Sequence, residues 1–514
     1  MKRLGARLVV SVGCAAALAI FLISSAARAN GVFPSVDQIV VDPSDANHWV
    51  LRTTFGLVVS RDGGQQWDWV CEEGLGYQNQ APAMAVLPGG YVVLGLATGI
   101  SVGDAAGCDF HLAAGVEANV TDVSAELAVP GGAIATSVDY NPGSAQVWET
   151  TDNGLSWSPL GEPIEQLDAK SIDVVKDNPD RIYLSGVLGD TALHNVLLVS
   201  SDHGQSWVTR SVPGTDSQNQ PYIAAISPVD GDTVYVRLSG FGGGLLVTTD
   251  AGKTFKQALA INGQLEGFAI SPDGETLLAS SAYVGMYRAK AATLAFERLT
   301  CSGTSCLSWT SAGLLGCGNQ FVNGFTLGRS ADQGESFQPA MSLLCIRGPL
   351  ACGAATSSAV CSGSWATISD QLGQSRSACD PRAEAKPFQT DCLSSGGSSD
   401  AGGAPLAESG AGATGVGTGT GTGTGGAADA VPETAGNGSN APAAGGAGKL
   451  GSPGNTRPRL LVSGGGCACS TPPPPSPRPW WLGSLVALAV RRFKRRAQAS
   501  RAASLRQGPR NVRP

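Results

Sequence analysis

S-R-D-G-G-Q-Q-W at 60–67 recurs four more times along this 514-residue chain: T-T-D-N-G-L-S-W at 150–157, S-S-D-H-G-Q-S-W at 200–207, T-T-D-A-G-K-T-F at 248–255 and S-A-D-Q-G-E-S-F at 330–337. The shared form is Ser/Thr, any, Asp, any, Gly, any, polar, aromatic. The carboxylates of Asp62, Asp152, Asp202, Asp250 and Asp332 can accept N–H bonds inside their own turn, and Gly64, Gly154, Gly204, Gly252 and Gly334 can take a positive φ. Trp67, Trp157, Trp207, Phe255 and Phe337 open a returning strand and anchor it on a core. Each copy therefore predicts a tight β-hairpin.

Spacing turns the hairpins into a fold. The Asp positions are separated by 90, 50, 48 and 82 residues, so the two wide gaps are close to twice the narrow ones. Eroded copies fit those gaps. G-I-S-V-G-D-A-A-G-C-D-F at 99–110 keeps an Asp, a Gly and an aromatic, and G-M-Y-R-A-K-A-A-T-L-A-F at 285–296 keeps the strand pattern and the final aromatic. Before each copy lie apolar, β-branched runs stopped by Pro, Asn, Asp or Gly, such as D-Q-I-V-V-D-P at 37–43 and R-I-Y-L-S-G at 181–186. Seven units of about 45 residues with short strands predict an all-β, single seven-bladed β-propeller of four-stranded antiparallel blades over 32–344.

The repeated motif resembles the Asp-box, or BNR/neuraminidase-type, repeat of sialidases, xyloglucanases, sortilin-like receptors and a photosynthetic assembly factor. The resemblance implies that each box is a structural hairpin at the outer edge of a blade, away from the ligand-binding face. The five aspartates are accordingly expected to brace turns rather than to act as catalytic acids.

Around this module the chain is partitioned by composition. Lys2, Arg3 and Arg7 precede an apolar run at 8–23, and Ala27-Arg28-Ala29 supplies a small-x-small cleavage pattern, which reads as a signal peptide over 1–29. The apolar run ahead of Cys14 is too short for a lipoprotein site. Export makes disulfides the expected state of the cysteines. Cys71, Cys108, Cys301, Cys306, Cys317, Cys345, Cys352, Cys361, Cys379 and Cys392 can pair completely, with the connectivity open. Residues 345–392 are expected to form a cysteine-stapled extension packed on the last blade, with one or two helical turns at 366–372.

From 393 to 466 Gly, Ala, Ser, Thr and Pro dominate, so this stretch has too little apolar area to offset its ordering entropy and reads as a disordered tether. A Cys motif with Cys467 and Cys469, a Pro-rich stretch, an apolar run at 480–490 and the Arg cluster R-R-F-K-R-R fill 467–496, followed by a basic tail at 497–514. Eleven apolar residues are short of a full membrane span, and a basic flank suits a cytoplasmic side. This order of parts resembles the myxobacterial C-terminal sorting segment (MYXO-CTERM). That resemblance implies export, processing at Cys467 or Cys469, removal of the short hydrophobic helix, and display at the cell surface or outer membrane or release after processing.

Charge narrows the function. Thirteen of the 34 bases lie in the leader or beyond Val490, leaving 21 against 41 acids, or −20, between them. Such a surface repels nucleic acid. A sialidase-like site would need an arginine cluster, and Arg52, Arg181 and Arg237 recur on the second strand of their units, where they are expected to face solvent. A xyloglucanase-like site would need two carboxylates across a cleft; Glu149, Asp109, Glu117, Asp122, Asp139 and Glu266 are available without an identifiable pair. Four scattered histidines and the absence of paired Cys-x-x-Cys motifs give no metal site, and no cofactor is expected. The reading is a noncatalytic binding or scaffolding propeller for an extracellular glycan or protein, with a glycoside hydrolase as the alternative. Its other contacts are the export and C-terminal sorting machinery and, through the C-terminal segment, a membrane.

Overall fold

The computed structural model describes residues 34–141, 143–189 and 193–373, and within them seven antiparallel sheets of four consecutive strands span 36–70, 83–112, 119–165, 167–211, 221–260, 267–300 and 306–341. The chain is therefore an all-β, seven-bladed propeller. The expected leader, tether, Cys467/Cys469 motif, short hydrophobic helix and basic tail lie outside the described residues, as do Cys379 and Cys392.

Burial explains the strand sequences. Second and third strands such as Trp49–Thr53, Val92–Leu96 and Gly244–Thr248 are buried at every residue, because blade faces pack on both sides of them. The first strands line the axis, and each packs on the first strand of the next blade all the way round, with Cys306–Thr310 of blade 7 returning to Val36–Val41 of blade 1. Polar side chains stitch these inner strands. Gln38 Nε2 donates to Met84 O at 2.9 Å, Ile172 N to Asp122 Oδ2 at 3.0 Å, Ile223 N to Ser171 Oγ at 2.8 Å, and Ser305 Oγ to Val36 O at 3.1 Å.

All five repeated stretches form the hairpin between the third and fourth strands of their blade. In blade 3, Asp152 accepts from Thr150 Oγ1 at 2.8 Å, from Ser156 N at 3.0 Å and from Ser156 Oγ at 2.6 Å, while Gly154 N donates to Thr150 Oγ1 at 3.2 Å. The Ser/Thr hydroxyl and the Asp carboxylate thus satisfy the turn from inside. The residue between Asp and Gly is also left-handed in every copy: Gly63, Asn153, His203, Ala251 and Gln333 have φ between 55° and 69°. In blade 2 the eroded copy keeps the device, with Asp104 Oδ1 accepting from Cys108 N at 2.8 Å.

The hairpins of blades 3, 4, 5 and 7 also dock on the preceding blade, whereas Gly64 of blade 1 faces Trp49 of its own blade. A Cβ at Gly154 would stand 3.0 Å from Val93 Cγ2 of blade 2, and one at Gly334 would stand 2.9 Å from Met286 Sδ of blade 6. Trp157 shares a core with Val93, Ile100 and Val102 of blade 2, and Phe337 with Leu278 and Met286 of blade 6. The motif is therefore a turn and an interblade rivet at once.

Among the described residues the four antiparallel strands of every blade come from one continuous stretch, so closure needs other means. After blade 7 the chain crosses to blade 1, where Ile346–Pro349 adds as a parallel fifth strand beside Trp67–Val70. This covers an edge that would otherwise stay unpaired. Arg347 pairs with Asp68, and Leu350 N donates to Trp69 O at 2.8 Å. Disulfides Cys71–Cys361 and Cys108–Cys352 bolt the segment down, while Cys306–Cys317 ties two strands inside blade 7. The extension thus packs on blades 1 and 2 rather than on the last blade, because its apolar partners are there: Trp365 lies 5.5 Å from Trp69. Its helix runs over Cys361–Gln371, starting earlier than the sequence suggested because Cys361 is itself buried against Cys71.

Candidate functional site

Antiparallel topology places the repeated hairpins on one face of the ring. The turns from second to third strands, and the connectors from each outer strand to the next inner strand, share the opposite face. Two features mark that second face.

At its centre is a polar mouth. Arg52 Nε donates to Asp37 Oδ1 at 2.8 Å and its Nη1 to Pro82 O, so this arginine is buried between blades 1 and 2. Arg237 lies over the ring of its cross-strand neighbour Tyr222, 4.7 Å from the centroid. Such stacking favours a guanidinium with little water around it. Asp122, on the inner strand of blade 3, sits in the field of both arginines and beside Asp173. Burial pushes its carboxyl up to about 7 against the amide bonds from Ile172 and Val123. Burial likewise raises Asp173 and Glu266, the latter accepting from Ala282 N at 2.7 Å.

Around the mouth runs a rim of exposed apolar side chains. The second-to-third-strand turns of blades 3 to 7 carry Tyr140 (50% exposed), Leu193 (62%), Phe241 (72%), Tyr283 (86%) and Phe321 with Val322 (55% each). Five consecutive blades thus present a large apolar group at an equivalent tip. Blade 1 has Phe55 at this position, buried beside Trp69. Sequence reasoning missed the rim, although an aromatic shortly before the Gly that opens or precedes a third strand was visible in T-F-G at 54–56, F-G-G-G at 241–244 and Y-V-G at 283–285.

The sequence-derived candidates distribute as follows. The five box aspartates are consumed by their turns. Burial alone would raise Asp152, but the Ser156 and Thr150 bonds hold it below its usual value, and the Thr254 amide and hydroxyl hold Asp250 at about 2. Arg52 and Arg237 face inward, correcting the expectation of solvent-facing positions, since they fill spaces between blades that water does not reach freely. Arg181 lies on the hairpin face, where it pairs with Asp232 in a groove of about 410 Å³.

Among the carboxylates, Asp122 and Glu266 both act on Arg237. Glu117 and Asp139 lie elsewhere on the mouth face. Asp109 accepts from Ser357 N at 3.2 Å, and Glu149 meets His203 Nε2 at 3.1 Å, both on the hairpin side. Among the described residues no cluster of three or more His, Cys, Asp or Glu is arranged to hold a metal.

No family model matches the chain, and no curated protein does. Among solved structures it is similar to an ancestral GH74 enzyme, at 18% identity over 59% of this chain and 36% of that one (TM-score 0.33). It is similar to the GH74 xyloglucanase of Xanthomonas campestris, at 14% over 58% and 63% (TM-score 0.29), and to YCF48 bound to D1 peptide, at 19% over 45% and 70% (TM-score 0.33). The chain spans little more than a third of the length of the first of these. At such identities the likeness concerns the propeller fold alone.

Proposed function

We propose that this chain is an exported, surface-displayed propeller that binds or scaffolds a partner without transforming it. The observation that carries this reading is where the repeated residues go: Asp, Ser/Thr, Gly and aromatic are all occupied in building hairpins and joining blades. What remains free on the opposite face is a broad apolar-tipped surface rather than a cleft with a paired acid and base. The leader, the tether and the tail with Cys467 and Cys469 support export and display, and the Asp-box resemblance accords with the hairpin geometry. The clasping disulfides suit an oxidising compartment.

One observation favours a second reading, glycoside hydrolysis. Asp122, lifted to about 7, and Glu266 flank Arg237 at the mouth, and a carboxyl poised near neutrality can serve as a general acid. A hydrolysis screen on neutral and acidic polysaccharides separates the two. The expected result is no turnover. Turnover that disappears in Asp122→Asn or Glu266→Gln with an unchanged melt would replace the binding reading by the hydrolytic one.

A further inference from the structure

Between the Asp and the Gly of the repeated hairpins stand Gly63, Asn153, Ala251 and Gln333, and in blade 4 a titratable residue, His203. From this left-handed position its ring reaches the junction with blade 3. Nδ1 meets Pro179 O of its own blade at 3.0 Å, and Nε2 meets Glu149 Oε1 of blade 3 at 3.1 Å. A carbonyl and a carboxylate only accept, so both ring nitrogens must carry protons for both bonds to form. A neutral ring keeps one of the two. Behind it lies a second carboxylate: Glu126 Oε1 is 3.9 Å from Nδ1, its side chain is 1% exposed, and neither of its oxygens receives a hydrogen bond from the described residues.

We infer that the junction between blades 3 and 4 is a pH-sensitive latch, closed while the His203 imidazolium bridges Pro179 and Glu149 in front of Glu126 and loosened when that proton leaves. Blade 3 supplies no cation of its own, since residues 119–165 hold seven acids and no Lys, Arg or His. In blade 4, Lys170 pairs with Asp168, Arg181 pairs with Asp232, and Asp202 is held by Ser200 and Ser206 inside the hairpin. Lys176, Asp177 and Asp180, in the turn that faces the ring, are exposed. The charges that act on Glu126 are His203 and Glu149, so deprotonation leaves the two carboxylates repelling each other without a cation, and one of them is buried. Burial alone would lower the ring's pKa, but the Pro179 carbonyl and the Glu149 and Glu126 carboxylates outweigh it and hold the ring above 6.5. A pKa raised by folding stabilises below the unfolded value and ceases to do so as pH rises through the folded one, so the latch opens on the alkaline side. Burial raises Glu126 as well, which acts with the same sign.

Hydrogen exchange on the full chain tests this, read at 200–207 and, for comparison, at the blade 5 hairpin 248–255, where Ala251 takes the same position. After correction for the intrinsic pH dependence of exchange, protection at 200–207 should fall about tenfold between about pH 5.5 and about pH 8, while 248–255 stays level. His203→Gln, which installs the side chain that blade 7 accommodates at Gln333, should flatten the profile. Glu149→Gln and Glu126→Gln should each lower the titration midpoint of the His203 ring, followed by NMR. Level protection at 200–207 in the wild type, an equal loss at 248–255, a slope that survives His203→Gln, or a ring that titrates at or below 6.5 would overturn the inference.

Discussion

Replacing Trp157 by Ala should destabilise the propeller more than replacing Asp152 by Ala, although the aspartate is the more constant feature of the motif. Trp157 is 5% exposed, reaches into the core of blade 2, and donates from Nε1 to Gly154 O at 3.0 Å. Burying about 200 Å² of ring at about 25 cal/mol per Å² sets a ceiling of about 5 kcal/mol, and large-to-small replacements at such sites cost about 3–5 kcal/mol. Asp152 makes three close bonds, to Thr150 Oγ1, Ser156 N and Ser156 Oγ, but at the surface, where water can take over the abandoned donors. Its loss should cost about 1–2 kcal/mol. For a module of roughly 340 residues the unfolding entropy is about 0.7 kcal/mol per kelvin, so Trp157→Ala should lower Tm by about 5 °C and Asp152→Ala by about 2 °C. Calorimetry supported by urea titration at constant m measures both. An equal or larger loss in Asp152→Ala would show that the hairpin's own bonds, and not its docking on the preceding blade, give the motif its energetic weight.

Asp122→Asn tests the buried carboxyl. Its folded pKa of about 7 lies above the ordinary 3.8, so its contribution is fully present below about pH 4 and is lost as pH rises through about 7. The wild-type unfolding free energy from urea titration should therefore fall more between pH 5 and 8 than that of the variant, by on the order of 1 kcal/mol, and parallel profiles would refute the assignment. Cys71→Ser/Cys361→Ser opens the outer bolt. With Cys108–Cys352 intact, the released loop comprises segments of 37 and 9 residues, which sets a loss of about 4 kcal/mol, and an unchanged melt would contradict the clasp. Gly334→Ala combines left-handed strain with a Cβ 2.9 Å from Met286 Sδ, whereas Gly214→Ala has a similar φ sign and nothing within 4 Å. Strain alone is worth about 1–2 kcal/mol, so the first should exceed the second by the interblade clash, and equal melts would deny that contact.

What the sequence determined by itself was local and periodic. A hairpin of type Ser/Thr-x-Asp-x-Gly is closed by its own side chains within five residues, as Thr150, Asp152 and Gly154 show, so its chemistry can be read without knowing its neighbours. Repetition at about 45 residues then specifies the blade, and the doubled gaps specify the count, because each four-stranded unit needs a similar length of chain. Tertiary structure decided what depends on residues far apart in sequence. Only the closed ring brings Gly334 against Met286, Trp157 against Val93, and Cys361 against Cys71 across 290 residues. It turned Arg52 and Arg237 inward, since the space between blades exists only after neighbouring sheets have packed. It also gathered Tyr140, Leu193, Phe241, Tyr283 and Phe321 onto one face. In the sequence each is an isolated apolar residue in a turn, and their common side follows from the strand direction that every blade repeats around the axis.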